Sequence, residues 1–138
     1  MTETPLFQKR DLKVVRIVFV FPDETLSVAD FFPRPAYALF RYFGEVFLLE
    51  SGVIAGTAGT GTNTILLQST TTNPFSGSPS WTTRVTHALG TTKGVSTTDF
   101  SAWKWNPQTE YLKMSCSAGT TPKDVSGYLD VAYRSGVR

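Results

Sequence analysis

Short strand-like runs, each closed by a turn residue, are the feature that most limits how this chain can fold. The runs are rich in Val, Ile, Thr and aromatic residues, and Gly or Pro separates one run from the next. The pattern predicts β-strands at residues 14–21, 45–55, 62–69, 81–89, 109–118 and 126–134. A further aromatic run, FSAWKW at 100–105, is interpreted as extended chain or a short corner. About seven or eight strands at such regular spacing favour a sandwich or a barrel.

Most connections between these runs are too short for the crossover helices of a parallel sheet, and no run, including the long connection at 22–44 with its prolines, predicts a long helix. With 138 residues, 41% of them hydrophobic, the chain is large enough for one domain with a real core. We therefore predict a single all-β domain over residues 14–138, with a bulge at Ser51-Gly52 in its second long strand. Residues 1–13 are polar, carry Pro5, and predict an extended N-terminal arm.

Residues 25–43 do not fit the strand pattern. Pro33 and Pro35 exclude one continuous helix, although 27–32 could form a helical turn and 36–43 either a strand or a short helix. The segment is dense in aromatic residues, more than a core of this size needs. We expect it to contribute to subunit contacts, where aromatic residues are enriched, with these candidate residues: Phe31, Phe32, Tyr37 and Phe40.

The formal net charge of +2 is too small for a nucleic-acid-binding protein, so no nucleic-acid partner is expected. Lys9, Arg10 and Lys13, followed by Arg16, form a small basic cluster on the arm. Two interpretations stay open: docking onto an acidic partner, or ordinary solvation of a terminus. The apolar run at 14–21 is too short for a membrane span and lacks the character of a signal peptide, so no membrane association is expected.

Residues that carry chemistry are few. His87 is the only His and lies within a predicted strand, and Cys116 is the only Cys and alternates as a core residue would. The run at 56–61, GTAGTG, lacks the Gly-Lys-Thr ending and following helix of a phosphate loop. Acidic residues are scattered, and the sequence predicts neither a catalytic centre, a metal site nor a cofactor.

Trp81, Trp103 and Trp105 allow one further function. If residues 100–105 are extended, Trp103 and Trp105 share a strand face and could form a platform for carbohydrate. Tryptophan is also a common core residue of β-sandwiches, so the alternative is that they are buried.

The sequence also resembles a known group of proteins, through five stretches: TGTNTILLQ at 60–68, NPF at 73–75, PSWT at 79–82, YLKMSCSA at 111–118 and DVSGYLDV at 124–131. In layout and turn chemistry these resemble small jelly-roll virion proteins of tailed bacteriophages, over roughly residues 45–134. The resemblance implies a jelly-roll-like antiparallel β-sandwich made in the host cytoplasm and carried in the virion.

The same resemblance implies a capsid decoration, or cement, protein that binds the major capsid protein or other virion proteins. It also implies a homo-oligomer, with a trimer favoured, and an N-terminal arm that reaches neighbouring subunits. A tail, baseplate or fibre component of the same fold is the first alternative, and a carbohydrate-binding module is the second.

Overall fold

The computed structural model describes residues 12–21, 30–31, 46–74, 77–118 and 121–134. Within them are eight strands: β1 (Leu12–Val20), β2 (Asp30–Phe31), β3 (Val46–Thr57), β4 (Thr64–Thr70), β5 (Thr82–Ala88), β6 (Gly94–Thr97), β7 (Tyr111–Ala118) and β8 (Lys123–Arg134). No helix occurs in these residues. The prediction of an all-β protein is confirmed.

The eight strands form two four-stranded antiparallel sheets. Sheet A has the order β1-β8-β3-β6, and sheet B has the order β2-β7-β4-β5. Each sheet thus combines strands that are distant in sequence, which is the interleaved double Greek key of a jelly roll. The first and last strands lie side by side, with Ile17 opposite Leu129.

The core lies between the sheets because successive side chains of a strand point to opposite faces. Sheet A contributes Phe19, Val53 and Leu129, and sheet B contributes Ile65, Leu67, Leu112 and Met114, all inaccessible to solvent. Cys116 is also buried in this core, which confirms its predicted position.

Six of the eight strands occur where the sequence predicted them, and two were missed. β6 lies between two predicted strands, where the sequence predicted none, and β2 lies in a stretch that could have formed a helical turn. β1 begins at Leu12, so the last two residues of the predicted arm belong to the sheet. The bulge in β3 lies between Leu48 and Glu50, not at Ser51-Gly52, whose residues pair regularly with β8.

Residues 100–105 are not a strand. The chain forms a turn at Ser101 and Ala102, which adopt positive φ angles of 51° and 64°, and then continues without a sheet partner. The condition for a flat Trp103–Trp105 strand face is therefore not met.

Candidate interaction surface

The exposed large apolar side chains of the described residues all belong to sheet A. They lie on β1 and β3 and are, with their exposed fractions, Val14 (69%), Ile54 (47%), Val20 (42%), Phe47 (41%) and Leu49 (39%). On β1 the even-numbered residues face outward, because Ile17 and Phe19 point into the core. The outer face of sheet A is therefore an apolar surface.

A closed polar cluster occupies the centre of this outer face. Arg16 donates two hydrogen bonds to the Asp130 carboxylate, at 2.7 and 2.9 Å, and its guanidinium lies 3.9 Å from the centre of the Tyr128 ring. The Tyr128 hydroxyl donates to Glu50 Oε2 at 2.5 Å. Burial raises the pKa of Tyr128, and its hydrogen bond to the Glu50 carboxylate raises that pKa further. These polar groups satisfy one another, so a partner could cover the face without leaving them unpaired.

Gly52 lets the Tyr128 ring lie flat on the sheet. A Cβ atom at this position would lie 2.5 Å from Tyr128 Cζ and 2.7 Å from Cε1, which is inside van der Waals contact. Only glycine leaves that space, and the ring can then reach both Arg16 and Glu50.

The outer face of sheet B is made of hydroxyl and amide side chains. Exposed Thr82, Thr83 and Thr86 come from β5, and Gln68 of β4 donates to Thr83 Oγ1 at 3.0 Å. Lys113 of β7 is nearly buried, with its ammonium 2.8 Å from Asp30 Oδ2. Among the side chains that the structure describes, this face carries none of the exposed large apolar residues found on sheet A.

The Lys113 ammonium also lies 4.4 Å from the centre of the Trp81 ring, so it is held by both a carboxylate and an aromatic face. Partial burial opposes ionisation of Asp30, but hydrogen bonds from Lys113 and Ser115 together keep the pKa of Asp30 below its ordinary value. Trp81 is therefore part of the fold of sheet B.

Glu110 fixes the loop that carries the other two tryptophans. Its carboxylate accepts from Trp103 Nε1 at 3.2 Å and from the Asn106 backbone N–H at 2.8 Å, and its carbonyl accepts from Trp105 Nε1 at 3.3 Å. Trp105 is 3% exposed and cannot offer a ring face to a sugar. The paired platform, one of the two interpretations of these tryptophans, requires both rings to be exposed, and the burial of Trp105 does not allow this, although Trp103 is half-buried and remains within reach of solvent.

An open cavity of about 780 Å³ lies between this loop and the start of β3. Its lining includes Val46, Leu48, Phe100, Trp103, Lys104 and Gln108. The size is within the range of small-molecule sites, and the lining is apolar with a few polar groups.

Ser51 and His87 form a hydrogen-bonded pair between the two sheets, with Oγ and Nε2 2.8 Å apart. Both are buried, at 0% and 1% exposed, and burial lowers the pKa of His87 to about 4. Ser51 Oγ donates its hydrogen to the Tyr128 carbonyl at 3.1 Å, so His87 Nε2 is the donor to Oγ. A catalytic His would instead accept that hydrogen, and the pair therefore serves as a cross-sheet tie.

The predicted contact residues separate into three groups. Lys13 is exposed on β1, and Phe31 lies on β2, where its backbone is opposite Met114. The other five lie outside the described residues: Lys9, Arg10, Phe32, Tyr37 and Phe40. In the described part of the chain, no group of His, Cys, Asp and Glu could hold a metal ion. That part also contains no helix with the length and apolar character that a membrane crossing requires.

The apolar outer face of sheet A was missed in the sequence, although a signal for it exists. The run VVRIVFVF at 14–21 is apolar at nearly every position. In an antiparallel sheet with one face on the core, residues should alternate between apolar and polar. A run without alternation predicts that both faces are covered, here by the core and by something outside the sheet.

No protein-family model matches this sequence, and no curated protein matches it. Among solved structures, the chain is similar to one described as "Cyanophage Pam1 capsid asymmetric unit". The two are 19% identical, the alignment covers 90% of this chain and 84% of that chain, and the TM-score is 0.48. A likeness at this level does not decide function, which has to be inferred from the residues of this chain.

Proposed function

We propose that this chain is a structural protein of a tailed-phage virion, and within that class a decoration protein that binds and stabilises the capsid shell. The observation that carries the proposal is the confinement of exposed Val14, Val20, Phe47, Leu49 and Ile54 to the outer face of one sheet. Exposed large apolar side chains gathered on one face of a sheet mark an interaction site, because leaving them in water is unfavourable. A jelly roll with such a face suits a subunit that attaches to others.

The polar cluster at the centre of that face supports a binding role. Arg16, Asp130, Tyr128 and Glu50 are paired before any partner arrives, so docking does not have to desolvate an unpaired charge. The side chains around the cluster include few long flexible ones. The exposed Val and Ile side chains lose little side-chain entropy when a partner binds. The major capsid protein is the proposed partner, as the resemblance in sequence implies.

A homo-oligomer is part of the same proposal, with the trimer expected from the resemblance. Light scattering of the purified protein tests this part: a mass of three copies of the 15.2 kDa chain, or a multiple of three, would support the trimer. A location in the tail, baseplate or fibre is the alternative within the virion. Immunogold labelling of intact particles distinguishes the head from the tail.

Carbohydrate binding is a second candidate because of the cavity of about 780 Å³ beside half-buried Trp103. A sugar stacked on this ring would change the intrinsic tryptophan fluorescence. Fluorescence that stays constant across a panel of mono- and oligosaccharides would remove this candidate.

The central test measures the attachment of two matched variants to phage particles that lack the protein. Ile54→Lys places a charge on the outer face of sheet A, and Thr86→Lys places the same charge on the outer face of sheet B. Co-sedimentation should fall at least about tenfold for Ile54→Lys and stay at the wild-type level for Thr86→Lys, since one buried charge at an apolar contact costs more than about 1.4 kcal/mol. Equal binding by both variants, or absence of the protein from purified virions, would contradict the proposal.

A further inference from the structure

The two sheets have four edge strands within the described residues: β1 and β6 in sheet A, and β2 and β5 in sheet B. Edge strands present unpaired backbone N–H and C=O groups, and proteins limit the resulting association by keeping edges short, bulged or charged. β2 has two residues and β6 has four. β5 is interrupted by a register shift against β4, which leaves Arg84 as the extra residue. Three of the four edge strands are therefore short or irregular, which limits their pairing with a strand of another chain.

Along most of its length, β1 has none of these features that limit association: it is neither short, nor bulged, nor charged. It is nine residues long, pairs with β8 without any register shift, and contains no Pro. Its only charges are Lys13, at the start, and Arg16, which is bound to Asp130 on the neighbouring strand. Val14 and Val20 are exposed on either side of the strand centre. A long, regular, apolar edge of this kind is suited to pairing with another strand.

We propose that the free edge of β1 pairs antiparallel with β1 of a second copy of this chain, about a two-fold axis at Ile17. A two-fold axis perpendicular to the sheet keeps the outer face of both copies on the same side. Residues whose numbers add to twice 17 then lie opposite each other. Val14 faces Val20 of the second copy, so each of the two exposed valines on the strand covers the other.

The same register fits the inner face. Val15, which is partly buried, lies opposite Phe19 of the second copy, and Ile17 lies opposite its own equivalent. The core of one copy thus continues into the core of the other. The surface is self-complementary, as a two-fold interface requires, and it uses the β1 edge of both copies, so this contact joins two copies and leaves the rest of each chain available for other contacts.

The neighbouring registers are less favourable. A two-fold axis at Arg16 would set the two Arg16 side chains directly opposite each other, and like charges in that position are destabilising. An axis at Val18 would place Val20 opposite Arg16 of the second copy and leave Val14 uncovered. The axis at Ile17 avoids both arrangements.

Disulfide trapping in the full chain tests the contact and its register. In the proposed register the Cα atoms of residue 14 and residue 20 of the other copy are about 4.5–5.5 Å apart, which a disulfide can span. The double variant Val14→Cys/Val20→Cys should give a covalent dimer under mild oxidation, reversed by dithiothreitol. The native Cys116 is buried, and oxidation of the wild-type protein is the control for cross-linking through this residue.

The single variants Val14→Cys and Val20→Cys are the matched controls for register. Equivalent residues of the two copies lie six positions apart along the strands, about 20 Å, so neither single variant should cross-link. A dimer from either single variant, or none from the double variant, would overturn the proposed pairing.

A second measurement does not depend on cross-linking. Val20→Lys puts a charge opposite Val14 of the second copy and should lower the mass in light scattering relative to Thr86→Lys, with circular dichroism unchanged for both. Masses that are equal for these two variants would overturn the β1 contact. The virion proposal is judged separately, by the presence of the protein in particles, and survives that result.

Discussion

The outer faces of the two sheets differ although their inner faces share one core. Sheet A exposes Val14, Phe47 and Ile54 around a closed polar cluster, and sheet B exposes Thr82, Thr83 and other short polar side chains. Burial of the inner faces is needed for folding in both cases. The outer faces carry no such requirement, and their difference is the observation on which the proposed contact surface of sheet A rests.

The buried Ser51–His87 pair between the two sheets gives the largest expected effect on the free energy of unfolding. His87 has a pKa of about 4 in the folded chain and about 6.5 when unfolded, so the unfolded state binds the proton first as the pH falls. Its contribution to stability is complete above about pH 6.5 and is lost between there and pH 4, at most about 3 kcal/mol. Urea denaturation as a function of pH measures this loss.

His87→Gln is the control, because the Gln amide can still donate to Ser51 but does not titrate. Between pH 6.5 and 4 its free energy of unfolding should fall less steeply than that of the wild type. Parallel curves for the two proteins would show that the cross-sheet tie does not couple stability to pH.

The next largest effect on the free energy of unfolding is expected from a substitution on the outer face of sheet A. Gly52→Ala should lower the free energy of unfolding by about 1–3 kcal/mol, because its Cβ atom overlaps the Tyr128 ring. Gly94→Ala in the adjacent β6 is the control, since its Cβ atom would lie 3.6 Å from the Val53 carbonyl oxygen, an ordinary contact. Equal stability of these two variants in thermal denaturation would contradict the packing of Tyr128 on Gly52.

The smallest expected effect on the free energy of unfolding comes from a substitution in sheet B. Asp30→Asn removes the carboxylate partner of Lys113 and should cost about 1 kcal/mol or less at pH 7, because Asp30 is half exposed. The pKa of Asp30 is lowered by its partners, so its contribution is present above about pH 4 and is lost as the pH falls below that value. The variant and the wild type should therefore converge in stability once the pH is low enough to protonate Asp30 in the folded chain, and a difference that persists in strong acid would show that the effect has another cause.

The strands that the sequence predicted are those that bury a continuous or alternating apolar row, such as β1 and β7. β2 and β6 were missed because their pairing depends on longer neighbours, Asp30 on Ser115 of β7 and Val95 on Val53 of β3. The buried position of Cys116 followed from alternation alone. Local pattern thus predicts strands that carry the core, and tertiary pairing decides the short edges.

The candidate surface was harder to predict. The sequence left open whether Trp105 was exposed for ligand binding or buried, and Glu110, five residues later, holds it inside the fold. Ser51 and His87 are 36 residues apart, and only the stacking of two sheets brings them together. Val14 and Ile54 were assigned to strands, but which face each occupies depends on register, which the sequence did not specify.

The contact between β1 and β8 has a consequence for how the protein is made. Arg16 and Asp130 are 114 residues apart, so β1 cannot pair with β8 until nearly all of the described chain has been synthesised. Folding dominated by such distant contacts is slow, and a strand whose native partner is not yet available can associate with a non-native one. During that interval the apolar β1 has no neighbour, and crowded synthesis of many copies would favour its capture by chaperones or by other nascent chains.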